Sequence, residues 1–508
     1  MVSVAIRTAQ PMRRAMSEQA PRTVIPPTDE TTLAKRSLGV PALVFLIIAA
    51  SAPLTVLAGG ATTSFAVTGE MGVPVGYVAL GLILVFFALG YGRMSTFIQN
   101  AGAFYAYVTA GLGTRQGIGA AFLALVTYNA MQVGLYGVFG FTASSILRDL
   151  AGLEVPWWVC ALAAWLIIAV LGVNKIDFSV KVLAVIVIAE FVVVFGVSLL
   201  SFGVAPEGIT VEPFMPEHWL TGSLGALLAF GIAAFMGFES GAIYSEEAKN
   251  PERSVAKATY IAVSIIALFY AFSSWAFAMG VGPSAIVSQA QEWGPDLMFV
   301  FLDQHMPVLV VNLAAVLFLT SILAAMIAFH NAAARYFFSM GRVQVLPRLL
   351  GATGAKNGAP VAGSLAQSVL GLVFIILFAV SGAGSDLGAL YPVMTMFPWL
   401  TNAAGFGMVL LLCITSVAIM RYFRREPQRH PAFVRTPAPL IAAVGLGIIA
   451  LLIMFNFDVM IESDGFSPLV IVIPAVIAGS GIVGVLWGEY LRRSQPQIYA
   501  AVSTADIG

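Results

Sequence analysis

Charge is scarce in this sequence. Only 10% of its 508 residues are Asp, Glu, Lys or Arg, against about a quarter in soluble domains. With 59% of the residues hydrophobic, a soluble chain could not hide so much apolar surface, and a polytopic membrane protein is the reading that remains. The few charges balance at 25 basic and 25 acidic residues, which excludes a generally basic nucleic-acid binder. Cysteine is almost missing. Cys160 and Cys413 lie in separate apolar runs and read as buried thiols, not as a disulfide framework or a metal site. None of the four histidines falls in an HExxH pattern, and a Walker loop, a Gly-x-Ser-x-Gly elbow and a paired-Cys motif are lacking too. An enzyme reading has nothing to stand on, and neither a cofactor nor a metal is expected. The start is polar, arginine-bearing and proline-rich, which does not read as a signal peptide.

What the chain has in quantity is long apolar runs. A membrane span needs about 20 residues. Runs of that order cover roughly 40–68, 73–93, 117–147, 156–173, 178–202, 221–244, 255–282, 306–338, 361–381, 388–420, 437–457 and 467–489. The expected fold is an all-α integral membrane domain of twelve helices over 37–493. A disordered tail precedes it at 1–36, and a second tail follows at 494–508. Both tails are expected on the cytoplasmic side of the plasma (cytoplasmic) membrane. With the N-terminus inside, 24 of the 25 Lys and Arg residues fall on the cytoplasmic side and only Arg148 falls outside, as the positive-inside rule requires.

Two spans are interrupted. In the first, Ala49-Ala50-Ser51-Ala52-Pro53 breaks an apolar run, and Pro53 removes a backbone donor. In the sixth, Phe235-Met236-Gly237-Phe238-Glu239-Ser240-Gly241 puts glycines and a carboxylate where a plain anchor would carry Leu and Val. A helix that loosens in the bilayer must face protein, ligand or water. A polar stretch comes next, Ser245-Glu246-Glu247-Ala248-Lys249-Asn250-Pro251, in which Asn250 reads as an N-cap and Pro251 as the first residue of a new helix.

Gly-Phe-Glu, then Glu-Glu, then Asn-Pro and a basic residue resembles the sixth helix and following cytoplasmic loop of the amino acid–polyamine–organocation (APC) superfamily of secondary transporters. The resemblance is sharpest over 230–260 and general over 38–490. The first and sixth spans are the opening helices of two five-helix halves, about 40–202 and 221–420. That spacing fits a five-plus-five inverted repeat with two added C-terminal helices, about 437–489.

Helix polarity then suggests a site. The half of helix one after Pro53 presents free N–H groups at the midplane, suited to a carboxylate. Ala50, Ser51, Ala52, Pro53, Leu54 and Thr55 are therefore candidates. The first half of helix six ends in free carbonyls near Ala234, Phe235, Met236, Gly237 and Phe238, suited to an ammonium group. Together they describe a cradle for an α-amino acid, and the resemblance implies the same two helix ends. Phe235 is a candidate gate. Gln132 and Tyr136 share a helical face, and Ser321 and Tyr391 add hydroxyls in helices eight and ten.

Glu239 and Glu190 are the ionisable candidates. A carboxylate in an apolar span is costly, so each is read as a proton carrier. Several members of the superfamily carry a Lys near the Glu190 position. Glu190 is thus a departure that leaves three roles open: proton site, cation ligand, or partner of a cationic substrate group. The expected function is proton-coupled import of an amino acid by alternating access. Polyamine or organic amine transport is the alternative, and an ion channel is disfavoured by the lack of a carbonyl-filter motif. The expected partners are a small-molecule substrate, protons and membrane lipid.

Overall fold

A computed structural model describes residues 38–504 apart from 99–103, 175–179, 244–247, 355–357, 426–430 and 462–466. The expected N-terminal tail and residues 245–247 of the polar stretch lie outside the described residues. The regular structure among the described residues is helical, with one isolated bridge between Leu38 and Ala248.

Helix α1, Val40–Ser51, stops where Ala52 takes a left-handed backbone with φ 48°. A new helix, α2, starts at Pro53, whose missing N–H costs nothing at the first helical position. It runs over 53–68 and widens into a π-turn at Val56–Ala61. The chain continues through α3 (Val73–Met94), α4 (Phe104–Leu112), α5 (Thr114–Ala151), α6 (Trp157–Asn174) and α7 (Val180–Val204). Helix α8, Leu224–Phe235, ends at Met236, and a short α9, Ser240–Ile243, resumes after the turn. Then come α10 (Pro251–Val281), α11 (Ile286–Trp293), α12 (Leu297–His305), α13 (Val308–Arg342), α14 (Val361–Ser381) and α15 (Phe397–Arg424). The last are α16 (Pro437–Phe455), α17 (Leu469–Ser494) and α18 (Pro496–Thr504).

Among the described residues, eleven helical stretches are long and apolar enough to cross a membrane, counting 40–68 as one. The remaining expected segment is represented by α8, which has only 12 residues because the chain leaves the helix at Met236. Helices α4, α11 and α12 lie in stretches read from sequence as loops. They are too short to produce an apolar run of spanning length. Helix α10 does begin at Pro251, but Asn250 makes no side-chain capping bond: its backbone is left-handed, with φ 47°. Large apolar side chains such as Leu82, Leu166, Ile188, Leu309 and Val373 face outward. That lipid-facing belt, with the spanning helices, makes the chain an integral membrane protein.

The two broken segments cross at the centre. Helix α1 packs on α10, α7 and α13, and α8 packs on α15, α16 and α3. The crossing is close because Gly237 lies on Ala50. A β-carbon at Gly237 would sit 2.5 Å from that of Ala50, and Gly237 has φ 106°.

Candidate functional site between the helix breaks

A cavity of about 50 Å³ lies between the breaks. Ala50, Ser51, Ala52 and Thr55 line it from the first break, and Phe230, Ala233 and Ala234 from α8. Met131 and Leu135 of α5, Phe329 of α13, and Phe397 and Thr401 of α15 close it. The space suits a few waters. No charged side chain among the described residues lines it.

The helix ends here are bonded to groups from other helices. Leu54 N–H donates to Glu190 Oε2 at 3.3 Å. The Thr55 hydroxyl donates to Ser321 Oγ at 3.0 Å. On the opposite side, Ser51 Oγ donates to the Ala234 carbonyl at 2.9 Å. Glu190 therefore sits on the N-terminus of α2, the end that sequence reasoning offered to a carboxylate. Ala234 offers the carbonyl assigned to an ammonium group.

Glu239 is buried beside the second break. Its Oε2 accepts from Gly237 N–H at 3.0 Å, and its Oε1 accepts from Tyr128 OH at 2.5 Å. Tyr91 OH donates to the Glu239 carbonyl at 3.1 Å. Tyr128 also packs on Phe329, with ring centroids 6.2 Å apart, so one cavity-lining ring touches the residue that holds Glu239.

Several expected residues do not line the cavity. Pro53, Leu54, Met236, Gly237 and Phe238 form the breaks themselves. Phe235 is buried against Tyr77, centroids 6.5 Å apart, and the aromatic rings on the cavity are Phe230, Phe329 and Phe397. Gln132 and Tyr136 do share a face, but it points into a second polar cluster. Gln132 Nε2 reaches Tyr136 OH and His330 Nδ1, both at 3.3 Å. Gln367 Nε2 donates to Gln132 Oε1 at 2.5 Å, and His330 Nε2 lies 2.8 Å from Ser364 Oγ. The cluster ties α5 to α13 and α14. Tyr391 is hydrogen-bonded to Ser381 at 2.8 Å and lies away from the crossing.

Tyr270 of α10 was missed by sequence reasoning. Its hydroxyl lies 2.5 Å from Ser51 Oγ. The available signal was a lone hydroxyl in the apolar run Ile265–Phe272. A larger, open cavity of about 670 Å³ lies at the far end of α2, with Thr63, Val67, Glu292, Asp296, Met394 and Asp458 in its wall. Burial, with Asp149 nearby, pushes the Asp296 carboxyl up to about 6, and Arg148 opposes the shift.

The family model for amino acid permeases matches residues 43–489. The chain is 24% identical to an uncharacterized amino acid permease, YtnA, of Bacillus subtilis over 75% of this chain and 81% of that protein. It is 26% identical to the histidine permease HisP of Lactococcus lactis, over 62% and 67%. It is 23% identical to the branched-chain amino acid permease BcaP of Bacillus subtilis, over 76% and 81%.

Proposed function

The chain belongs to the amino acid permease family, and from that premise and the geometry we propose that it imports an amino acid by alternating access, coupled to protons. The observation that carries this reading is the crossing of the two breaks: the donor end of α2 and the acceptor end of α8 face one cavity. The substrate's carboxylate takes the N–H groups of Leu54 and Thr55, and its ammonium group takes the carbonyls of Ser51 and Ala234. The cavity has room for only a few waters, so binding of an amino acid with a sizeable side chain requires the helix halves to separate. The two five-helix halves move against each other around this point, and both termini face the cytoplasm.

Glu239 is the first candidate for proton carrier. Its carboxylate bonds the backbone of the break itself at Gly237, so a protonation change there biases the two parts of the broken helix. Glu190 is the second. It holds the Leu54 N–H that the substrate's carboxylate would need, and two ionised carboxylates repel at one helix end. The test is Glu239→Gln in proteoliposomes with an imposed pH gradient. Uphill uptake should collapse while exchange of internal for external substrate survives. A variant that concentrates substrate as the unmodified protein does would make Glu239 structural, and the same assay on Glu190→Gln then decides the second candidate.

Glu190 also supports a second reading, uptake or exchange of an amine, because a carboxylate at the helix end suits a cationic group. A thermostability screen across amino acids and their decarboxylated amines separates the two. Amines that stabilise as well as their parent amino acids would sink the carboxylate half of the cradle. Saturable, gradient-driven uptake without single-channel current separates both from a channel.

A further inference from the structure

Tyr270 adds a residue to the transport reading, and the role argued for it rests on that reading. It is buried in α10 and does not line the cavity. Its phenolic oxygen lies 2.5 Å from Ser51 Oγ and 3.3 Å from the Ser51 carbonyl. The one hydroxyl proton of Ser51 goes to the Ala234 carbonyl, so the proton between the two hydroxyls comes from Tyr270. The bonds run in one direction, Tyr270 to Ser51 to Ala234. They place the Ser51 hydroxyl on the Ala234 carbonyl at the end of α8, one of the acceptors assigned to the substrate's ammonium. The donor end of the crossing is held by Glu190 on Leu54. Side chains of the protein thus serve both ends of the cradle. The Tyr270 ring is fixed for this purpose, edge-on to Tyr77 with centroids 5.6 Å apart.

Polar backbone groups left without partners inside a bilayer are expensive. A carrier whose broken helix ends find partners only on the substrate closes readily only when loaded, and it exchanges one molecule for another. We propose that Tyr270 is a positioning residue that holds the Ser51 hydroxyl on the Ala234 carbonyl, where that hydroxyl stands in for the substrate's ammonium group, and so lets the carrier close and return unloaded. The result is net transport, not obligatory exchange. When substrate is present, its charged donor makes bonds roughly twice as strong as a neutral hydroxyl and takes over this acceptor. The loaded, closed carrier does not need the Tyr270 hydroxyl.

The experiment uses Tyr270→Phe in proteoliposomes, with tritiated L-leucine, L-histidine or L-lysine, whichever shows saturable counterflow with the unmodified protein. Efflux into amino-acid-free buffer should fall about tenfold, the cost of stranding one buried acceptor, while counterflow against excess unlabelled amino acid stays within about twofold. Equal loss of both rates, or no loss of either, overturns the proposal. If the unmodified protein shows counterflow with none of the three, the transport reading fails first and this one falls with it. In detergent, the rise in Tm produced by the same amino acid should be larger for Tyr270→Phe than for the unmodified protein, and an equal rise counts against it. Should Tyr270→Phe not fold, Ser51→Ala breaks the next link and must lower the ratio of efflux to counterflow; an unchanged ratio overturns the proposal.

Discussion

Gly237 answers two demands at once. Its φ of 106° is one that side chains disfavour, and its α-carbon lies against Ala50. Gly237→Ala meets both, the backbone strain alone costing about 1–3 kcal/mol. The expected outcome is a lower Tm and loss of counterflow; a variant with normal counterflow would show that the crossing tolerates a wider gap. Asp296 gives a prediction with a sign. Its carboxyl is raised from 3.8 to about 6, so the folded protein holds a proton that the unfolded chain has already released. The resulting stabilisation of the protonated fold is full below pH 4 and lost as pH rises through 6. Asp296→Asn should therefore raise Tm at pH 7.5 and leave it unchanged near pH 4. An equal shift at both values would assign the effect to packing.

Among the elements, the polar cluster joining α5, α13 and α14 is the part most changed from expectation. Gln132 and Tyr136 are one turn apart, so their shared face follows from helical geometry. Which helix that face meets is set by packing, and it meets His330 and Gln367. A clasp and a substrate contact predict different kinetics. Gln132→Leu strands the Gln367 amide, at a cost of about 1–3 kcal/mol, so a clasp predicts a lower Tm with KM held. A raised KM at unchanged Tm would return Gln132 to the substrate site. The breaks themselves were legible, because proline at 53 and glycine at 237 act on the backbone within a few residues. Helices α4, α11 and α12 were not, because each has only eight or nine residues and depends on neighbours for its burial.

The whole molecule carries one prediction of its own. The placement of 24 of 25 basic residues on one side implies cytoplasmic termini. In intact cells expressing a cysteine-free background, a membrane-impermeant maleimide should label Glu212→Cys and leave Ala20→Cys unlabelled. The reverse pattern would invert the topology and, with it, the direction in which each broken helix points its ends. The outward-facing apolar belt and the buried crossing at its centre are consistent with either orientation, so this measurement decides what the fold does not.

The sequence by itself determined the membrane character, the approximate extent of the long apolar helices and the two points where the chain leaves helical geometry. Those properties follow from composition and from backbone chemistry, which act locally. Tertiary structure alone decided which polar groups meet. Glu190 is 136 residues from Leu54, Ala234 is 183 from Ser51, and Tyr270 is 219 from Ser51. A hydroxyl or carboxylate in an apolar helix shows only that it needs a partner, because leaving it without one is costly. Its partner is chosen by the packing of the helices, and that packing brings the ends of α1, α2 and α8 to one place.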